Sequence, residues 1–377
     1  MNNGNHVVGE TPPVALDVDA LDRQLVALLN RRAAAALAGG LAAADRCSEN
    51  AAPAPLVEAN QGPLTDRALQ AIFRELASGI RALAGPLTVA YLGPEYTYSH
   101  LAAIARFGQS AELAPVATIA AVFEEVERGQ ASYGVVPIEN STDGRVADSL
   151  ECLARHHAHA LSGAGGDSGR AGKVGAVPQI CGEIPLRIHH CLLGSGSRND
   201  IRRVFSKPQA LSQCRNWLSV HLPQVTLEPA SSTTEAAALA AAHRDTAAIA
   251  AEQAAVNHGL TILARNIEDN PDNITRFAVI SSKAAERTGR DKTALAFEAP
   301  HKPGALADAM AIFKRHQLNL TWIESFPIPQ ARGRYLFFVE FQGHASDETA
   351  VRAIAALQKK SLRLVVLGSY AEAEVVE

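Results

Sequence analysis

The chain has 377 residues, 47% of them hydrophobic, and a formal net charge of -4, so its length predicts two or three domains and its charge lacks the basic excess that nucleic-acid binding requires. The five cysteines are odd in number and scattered without a Cys-x-x-Cys pair, which argues against a disulfide framework and a zinc ribbon. The polar N-terminus lacks a signal-peptide pattern and no apolar run reaches membrane-spanning length without charges, so we expect a cytoplasmic protein that binds no membrane.

The first predicted elements are helices. Residues 1–16 are expected to form a disordered tail, whereas apolar residues at helical spacing predict helices over 17–41 and 64–83. Gly85 and Pro86 end this region, and from Leu87 onward short apolar runs alternate with helical patterns. We therefore expect a helical domain over 17–85 and a different domain after it.

The central part of the chain, residues 87–283, has the pattern of a doubly wound α/β unit. The predicted strands, linked by alanine-rich helical stretches, cover 87–92, 133–138, 186–193, 225–228, 246–250 and 277–281. The distribution of polar motifs over the two halves indicates two lobes around a cleft. Residues 156–178 are rich in glycine and predict a flexible surface loop.

The C-terminal part has a different order of elements. Over residues 292–371 the pattern predicts strand, helix, strand, strand, helix and strand, which is a ferredoxin-like βαββαβ unit. The expected fold class is therefore α/β and α+β multidomain. It combines an N-terminal helical segment, a two-lobed doubly wound α/β domain and a C-terminal ferredoxin-like domain.

Three segments of the central part place polar side chains at strand ends. They are residues 93–99 (GPEYTYS), 137–144 (PIENSTDG) and 266–277 (NIEDNPDNITRF). Open α/β sheets place their ligand sites at such positions. The hydroxyl groups of Thr97, Ser141 and Ser232 stand at predicted helix starts, where they either cap the helix or join its free N–H groups in binding a carboxylate.

Together these segments resemble prephenate dehydratases, and the likeness covers residues 87–283. The resemblance implies prephenate as the substrate, a dicarboxylate whose ring loses carbon dioxide and its 4-hydroxyl to give phenylpyruvate in L-phenylalanine biosynthesis. It also implies that no metal or redox cofactor is needed. The site has to hold two carboxylates and supply one proton donor near the departing hydroxyl.

The resemblance also implies roles for individual residues. Thr275 of the Thr-Arg-Phe motif is the expected donor to the leaving hydroxyl, and Arg276 is expected to bind a carboxylate in bidentate fashion. Glu139 is either a rival acid or the residue that orients Asn140. Phe277 packs beneath the site or, as the better interpretation, belongs to the core. The substrate-binding candidates are Thr97, Ser99, Asn140, Ser141, Gln213, Ser232, Thr233 and Phe277.

The sequence departs from the family pattern at two of these places. Tyr96 stands where glycine usually precedes the threonine, and Lys207 stands where histidine is usual. Because glycine would permit a positive φ, we expect the tyrosine to narrow the pocket or to displace Thr97.

The N-terminal helices resemble the chorismate mutase that is fused to dehydratases in bacterial bifunctional P-proteins. Of the family's cations, the arginine at Arg32 is plainly matched, whereas other charged or polar positions fall near Ala15, Ala43 and Ala84. A pocket with methyl groups in place of cations cannot hold a dianion, so we expect weak or absent mutase activity. The alternative is a bifunctional enzyme whose mutase uses a shifted register with Arg23, Arg31 or Arg46.

Residues 292–371 resemble the ACT regulatory domain. Gly304, Ala305 and Leu306 at a helix start, and Glu324 and Ser325 at a strand end, match positions that bind the effector L-phenylalanine in related enzymes. Phe326 replaces the usual arginine there. We expect feedback regulation by phenylalanine, with a purely structural domain as the alternative, and ACT pairing predicts a homodimer or homotetramer.

Two further interpretations of the whole chain stay open. Arogenate, the aminated analogue of prephenate, is a possible substrate. A protein of another class, a non-catalytic amino-acid sensor built from a two-lobed binding unit and an ACT domain, is the second. Such a sensor would not require an acid at Thr275.

Overall fold

The computed structural model describes residues 17–39, 57–157, 177–328 and 334–376. The chain divides into two compact units, residues 1–46 and 47–377. The described part of the first unit is helix α1 (Val18–Ala38), which is capped by the Asp17 side chain accepting from the N–H of Ala20 at 3.1 Å. The predicted tail over 1–16 lies outside the described residues, as do residues 158–176 of the predicted loop.

The second predicted helix belongs to the second unit. Helix α2 (Asp66–Ala84) begins after Thr65, whose hydroxyl accepts from the N–H of Ala68 at 3.2 Å. Ser78 Oγ accepts from the N–H of Ser110 at 3.1 Å, and Arg81 Nη2 donates to the carbonyl oxygen of Phe107 at 2.9 Å. The second helix of the predicted 17–85 domain is thus hydrogen-bonded to the α/β part of the chain.

The α/β part runs from β1 to β11. Its elements up to residue 187 are β1 (Thr88–Leu92), α3 (Tyr98–Phe107), β2 (Glu112–Val116), α4 (Ile119–Glu127), β3 (Tyr133–Asn140), β4 (Gly144–Arg145), α5 (Ala147–His156) and β5 (Gln179–Arg187). Those that follow are β6 (Cys191–Gly194), a 3-10 turn (Arg198–Asp200), β7 (Arg203–Ser206), α6 (Pro208–Gln213), α7 (Arg215–His221), β8 (Thr226–Pro229), α8 (Thr233–Ala242), β9 (Thr246–Ala250), α9 (Glu252–His258), β10 (Thr261–Ala264) and β11 (Ile274–Ser281).

These strands form two sheets. The first has the order β2-β1-β3-β11-β5, with β4 paired to β3, and the second has the order β10-β6-β9-β7-β8. Because β11 follows the second sheet in sequence but lies between β3 and β5, residues 188–273 form a second lobe inserted into the first. The predicted two-lobed α/β architecture is confirmed.

The single strand predicted over 186–193 is wrong. The chain leaves the first sheet at Arg187 and enters the second at Cys191, with His189 and His190 in the crossing segment. Leu186 and Ile188 are both buried, so the apolar run continues across the break and hydrophobicity alone does not reveal it. Strand β5 was missed because Gly182 and Pro185 are unusual inside a strand.

The C-terminal part contains β12 (Asp291–Glu298), α10 (Ala305–Arg315), β13 (Leu320–Pro327), β14 (Tyr335–Gln342), α11 (Glu348–Gln358) and β15 (Arg363–Ala371). Its antiparallel sheet has the order β13-β14-β12-β15, which confirms the predicted βαββαβ unit. One face of this sheet packs on the helices through Leu295 and Val339. The other face shares a hydrophobic cluster with the first sheet, in which Ala296 and Phe338 pack with Ala278.

The C-terminal sheet approaches the first sheet closely. Gly368 has a φ of +151°, and a Cβ at this position would lie 2.0 Å from the carbonyl oxygen of Ile180. After β15 the chain runs along the edge strand β5, where the N–H of Val376 donates to Pro185 O and the N–H of Arg187 donates to Val376 O, both at 2.8 Å. Gly368 thus allows the close approach of the two sheets, and the C-terminal tail is hydrogen-bonded to β5.

The described residues contain neither a helix that could span a membrane nor a metal-binding cluster. Helices in this part of the chain are either too short or too polar to cross a membrane. Within the same residues, His, Cys, Asp and Glu side chains form no group of three or more that could hold a metal ion. The side chains of Cys152, Cys181, Cys191 and Cys214 are buried.

Candidate active site

The two lobes meet at the carboxyl ends of their parallel strands. Strands β1 and β3 are parallel, as are β7 and β8, so the loops that follow each pair lie at one edge of their sheet. Hydrogen bonds join these edges: Thr234 Oγ1 donates to Glu95 O at 2.8 Å, and the side-chain amides of Gln209 and Gln213 both donate to Asp143 Oδ2, at 2.5 and 2.6 Å. We call the region formed by residues 93–99, 140–143, 207–213, 230–234 and 273–275 the interlobe site.

Asn140 and Thr275 form the centre of this site. They are register partners at the ends of β3 and β11. The N–H groups of Thr142 and Asp143 both donate to Asn140 Oδ1 at 2.9 Å, which sets the orientation of the amide. Asn140 Nδ2 therefore faces Thr275 Oγ1 at 2.8 Å. Because the Thr275 oxygen accepts this hydrogen bond, its own hydrogen points away from Asn140 and can be donated to a bound group.

A buried polar chain extends this arrangement into the second lobe. Asn140 Nδ2 also donates to Asn273 Oδ1 at 2.9 Å, and Asn273 Nδ2 donates to Gln213 Oε1 at 3.1 Å. His190 Nε2 lies 2.9 Å from the same amide oxygen, which can only accept, so Nε2 carries a proton. In the neutral ring His190 Nδ1 is then an acceptor, and the single hydrogen of the Tyr98 hydroxyl is shared between this nitrogen at 2.9 Å and His189 O at 2.8 Å. Each amide orientation in the chain follows from its neighbours.

The ionisation states in this chain follow from burial. Burial raises the pKa of Tyr98 well above its ordinary value, so the phenol stays a donor. Burial also lowers the pKa of His190, and the hydrogen bond to Gln213 opposes this effect in part. The network is therefore neutral at its core, with the Asp143 carboxylate accepting from Gln213 at its edge.

Arg276 and Glu139 do not lie in the interlobe site, which corrects the expectation that they act on the substrate beside Thr275. They are register partners of each other, and Arg276 Nη1 donates to Glu139 Oε2 at 2.8 Å. Arg276 Nη2 donates to Glu183 at 2.9 Å and to Glu340 of β14 at 2.7 Å. The reason is strand geometry, since neighbours on a strand point to opposite faces. Thr275 faces the interlobe site, and Arg276 faces the C-terminal sheet.

Two other candidates have structural roles here. Ser141 Oγ accepts from the N–H of Ile274 at 2.9 Å and donates to Asp272 O at 3.2 Å, so it holds the entrance of β11. The helix expected to begin at Ser141 begins at Ala147, because β4 first pairs back onto β3. Phe277 is 1% exposed and belongs to the core of the first lobe, which corrects the expectation that it contacts the substrate.

Tyr96 adopts the conformation that glycine would permit. Its φ is 62°, and its N–H donates to His100 Nδ1 at 2.9 Å. Its ring packs against the hydrophobic cluster of the second lobe, which offsets a backbone cost of about 1–2 kcal/mol.

Thr97 still stands at the N-cap position of α3, but its hydroxyl donates to Pro94 O at 2.9 Å and does not cap the helix. Ser99 is buried in the first turn of α3.

Ser232 and Thr233 lie at the start of α8. Ser232 Oγ accepts from the N–H of Glu235 at 2.9 Å, so the capping interpretation accounts for this hydroxyl. Thr233 is buried at the first helical position, and Thr234 makes the bond to Glu95.

Two of the predicted effector residues, Glu324 and Ser325, contact an arginine of the first lobe. Gly304 takes a left-handed φ of +80° before α10, Ala305 is buried, and Leu306 is 36% exposed. Arg145 Nη1 donates to Glu324 Oε2 at 2.9 Å and to Ser325 O at 3.4 Å. Its guanidinium also lies 4.6 Å from the centroid of the Phe326 ring.

In the first unit, Arg32 is an exposed residue of α1.

Four residues of the polar chain were not predicted: Tyr98, Asp143, His190 and Asn273. Asn273 stands two residues before Thr275, the spacing that places two side chains on one strand face, so it could have been found. Asp143 lies inside a motif already selected. His190 was hidden by the continuous strand predicted across it.

Known proteins resemble this chain over most of its length. The family model for prephenate dehydratase matches residues 89–285, and the ACT domain model matches residues 293–358. The bifunctional chorismate mutase/prephenate dehydratase of Pseudomonas aeruginosa is 36% identical over 372 residues, covering 95% of this chain and 96% of that protein. The protein of the same description from Stutzerimonas stutzeri is 39% identical over 320 residues, covering 84% and 82%.

A solved structure shows the same architecture. Prephenate dehydratase from Arthrobacter aurescens in complex with L-Phe is 33% identical and superposes with a TM-score of 0.66, covering 76% of this chain and 90% of that chain.

The neutral state of His190 predicts a pH dependence of stability. Because its pKa in the folded protein is below the usual 6.5, the unfolded chain binds the extra proton as the pH falls. The contribution of His190 to the free energy of unfolding is complete above pH 6.5 and is lost as the pH falls through the lower folded pKa. When the pH is lowered from about 7.5 to 5, the free energy of unfolding measured in urea should therefore fall less in His190→Gln than in the wild type. Equal losses would contradict this assignment.

Proposed function

This chain belongs to the prephenate dehydratase family, and on that premise we propose that it converts prephenate to phenylpyruvate, carbon dioxide and water at the interlobe site. The observation that carries the proposal is the Asn140–Thr275 hydrogen bond, since it leaves the Thr275 hydroxyl free to act as a donor. A non-catalytic sensor would have no need for a hydroxyl oriented in this way.

The reaction needs little acid strength. The bond between the ring and its carboxylate breaks, its electron pair enters the ring, and the bond from the ring to the 4-hydroxyl oxygen breaks. Aromatisation drives these steps, so a hydrogen bond from Thr275 suffices to stabilise the departing oxygen until it takes up a proton from the solvent and leaves as water. We assign Thr275 as this donor and Asn140 as the residue that aims it.

The substrate carboxylates are assigned to helix starts in the interlobe site. The first turn of α3 carries no side-chain cap from Thr97, so its N–H groups and the positive end of its dipole can face an anion. We propose that this turn, with Thr97 and Ser99, holds one carboxylate, and that the start of α8 with Thr233 holds the other. Gln213, Ser141 and Ser232 then support the walls of the site through the hydrogen bonds described above.

Chorismate mutase activity is proposed to be weak or absent, with the bifunctional enzyme as the alternative. The charged residues missing near Ala15 and Ala43 support the first view. Ala84 at the end of α2 supports it as well, because the mutase pattern has a glutamine there. The alternative is supported by the name of the Pseudomonas aeruginosa relative, whose similarity extends over 95% of this chain. Prephenate is favoured over arogenate as the dehydratase substrate because both bacterial relatives carry prephenate in their names.

Phenylalanine is proposed as a feedback effector of the C-terminal domain. The match to the ACT model and the L-Phe in the Arthrobacter aurescens structure support this role. Gly304, Ala305, Leu306, Glu324 and Ser325 are the proposed binding residues, with Arg145 supplying a cation beside Glu324 where the family's arginine is replaced by Phe326. We further propose that the protein works in the cytoplasm as a homodimer or homotetramer paired through ACT domains.

Supplying purified protein separately with prephenate and with chorismate tests the catalytic proposal. We expect phenylpyruvate from prephenate. The kcat should fall at least about 100-fold in Thr275→Val, and less than about tenfold in Thr275→Ser, which keeps the hydroxyl. Chorismate should be consumed far more slowly than prephenate. A Thr275→Val variant that retains nearly full kcat would refute the role of Thr275, and comparable turnover of chorismate would establish the bifunctional alternative.

Phenylalanine binding predicts a change in both activity and stability. Because a ligand that binds the folded protein shifts the unfolding equilibrium, L-phenylalanine should raise the Tm and lower the rate of phenylpyruvate formation. D-phenylalanine is the matched control and should do neither. If L-phenylalanine leaves both quantities unchanged, the C-terminal domain is structural and the effector proposal fails.

A further inference from the structure

A buried ion cluster joins the C-terminal sheet to strand β11. Arg276 lies at its centre and donates to Glu139, Glu183 and Glu340 at 2.8, 2.9 and 2.7 Å. The side chains of Glu183 and Glu340 are each 1% exposed. Glu139 and Glu183 belong to the first sheet, whereas Glu340 belongs to β14. One buried guanidinium thus ties the two domains together, and Lys292 Nζ, 2.8 Å from Glu183 Oε1, is a second cation of the cluster.

Glu340 is held by every strand of the C-terminal sheet. From its own strand β14 it accepts from the Tyr370 hydroxyl of β15 and from the Thr321 hydroxyl of β13, both at 2.5 Å. Lys292 Nζ of β12 lies 3.9 Å from its second oxygen. Burial would raise the pKa of Glu340, but Arg276 and these donors hold it below its usual range, so the group stays ionised. Such a carboxylate is a rigid anchor.

Arg276, the residue that Glu340 holds, lies next to an irregularity in the pairing of β11 with β3. Arg276 pairs with Glu139 and Phe277 pairs with Pro137, so the register between β11 and β3 shifts immediately after Arg276. A bulge disrupts the ladder locally and changes the direction of nearby side chains. The pairing with β3 therefore restrains the segment before the bulge, which carries Thr275, less firmly than a regular ladder would, whereas the pairing with β5 stays in register from Ile274 to Val279.

We propose that Glu340 is a positioning residue for the dehydration: through Arg276 it holds the segment of β11 that presents Thr275 to the substrate. The inference rests on the proposed function, and it makes the C-terminal domain a part of the catalytic apparatus. Thr275 and Arg276 are adjacent, so a displacement of the guanidinium is passed directly to the donor hydroxyl. Effector binding is not required for this coupling.

The substitution Glu340→Gln keeps the shape of the side chain and removes its charge. We expect kcat for phenylpyruvate formation to fall about 10- to 100-fold with little change in KM, since a small misplacement of a catalytic group has an effect of this size and the substrate carboxylates are held elsewhere. If Glu340 acts through Arg276, adding Glu340→Gln to Arg276→Met causes no further loss. An unchanged kcat in Glu340→Gln, or losses that multiply in the double variant, would overturn the proposal.

Glu298→Gln is the matched control. Glu298 lies in β12 of the same sheet, is fully buried, and is paired with Arg334 and with Arg363 at 3.6 Å. This variant should lower the Tm while kcat stays near the wild-type value, and an equal loss of kcat in both variants would reduce the effect to general destabilisation. Should Glu340→Gln fail to fold, Tyr370→Phe removes one donor to Glu340 without removing a charge and should lower kcat in the same direction.

Amide hydrogen exchange gives a readout that does not depend on activity. Peptides covering residues 272–278 should exchange faster in Glu340→Gln than in the wild type or Glu298→Gln, because the anchor of β11 is lost. Unchanged exchange would overturn the inference. A wild-type protein that makes no phenylpyruvate would refute the proposed function, and faster exchange in Glu340→Gln would still support the anchoring of β11.

Discussion

The hydrogen bond from Asn140 Nδ2 to Thr275 Oγ1 is the interaction on which the account of the site depends. A threonine hydroxyl can donate or accept, and its direction is set by its neighbours. Here the turn at residues 140–143 orients the amide, the amide occupies the oxygen of Thr275, and the hydrogen is left for the substrate that we propose. The buried chain through Asn273, Gln213 and His190 keeps that amide in place from the second lobe. A weak acid is thereby converted into a preorganised donor.

Strand β11 divides its two functions between its two faces. Thr275 faces the interlobe site and Arg276 faces the C-terminal sheet, because side chains alternate along a strand. The Thr-Arg-Phe motif is therefore not one cluster of substrate contacts. It places a donor, an inter-domain anchor and a core aromatic side by side, since Phe277 is buried in the first lobe. The C-terminal domain thereby contacts β11, the strand that carries the proposed donor.

Arg145 provides a second connection of this kind. It follows the turn that orients Asn140, and it reaches Glu324 and the ring of Phe326. The proposed effector residues and the amide that aims Thr275 are thus separated by a short hairpin. A ligand that competes for Glu324 would act on the same turn whose N–H groups hold Asn140 Oδ1.

Much of the fold could be predicted from the sequence, because hydrophobic periodicity and glycine or proline breaks mark elements directly. The βαββαβ unit and the two-lobed α/β part are such cases. The structure brings Thr275, Asn140, Ser141 and Gln213 together, although their individual roles depend on hydrogen-bond direction. The break at residues 188–190 was missed because burial continues across it. The partners of Arg276 could not be foreseen, since Glu183 and Glu340 come from distant strands and their contact depends on how two sheets pack.

The most direct test of this account is the kcat of Asn140→Asp with prephenate at neutral pH. The substitution keeps the size of the side chain and its bonds from Thr142 and Asp143, but turns the donor that faces Thr275 into an acceptor. The account predicts that Thr275 then donates to the carboxylate and not to the substrate, with a fall in kcat of about 100-fold or more. A kcat close to the wild-type value would show that the direction of this hydrogen bond does not matter and would contradict the central claim.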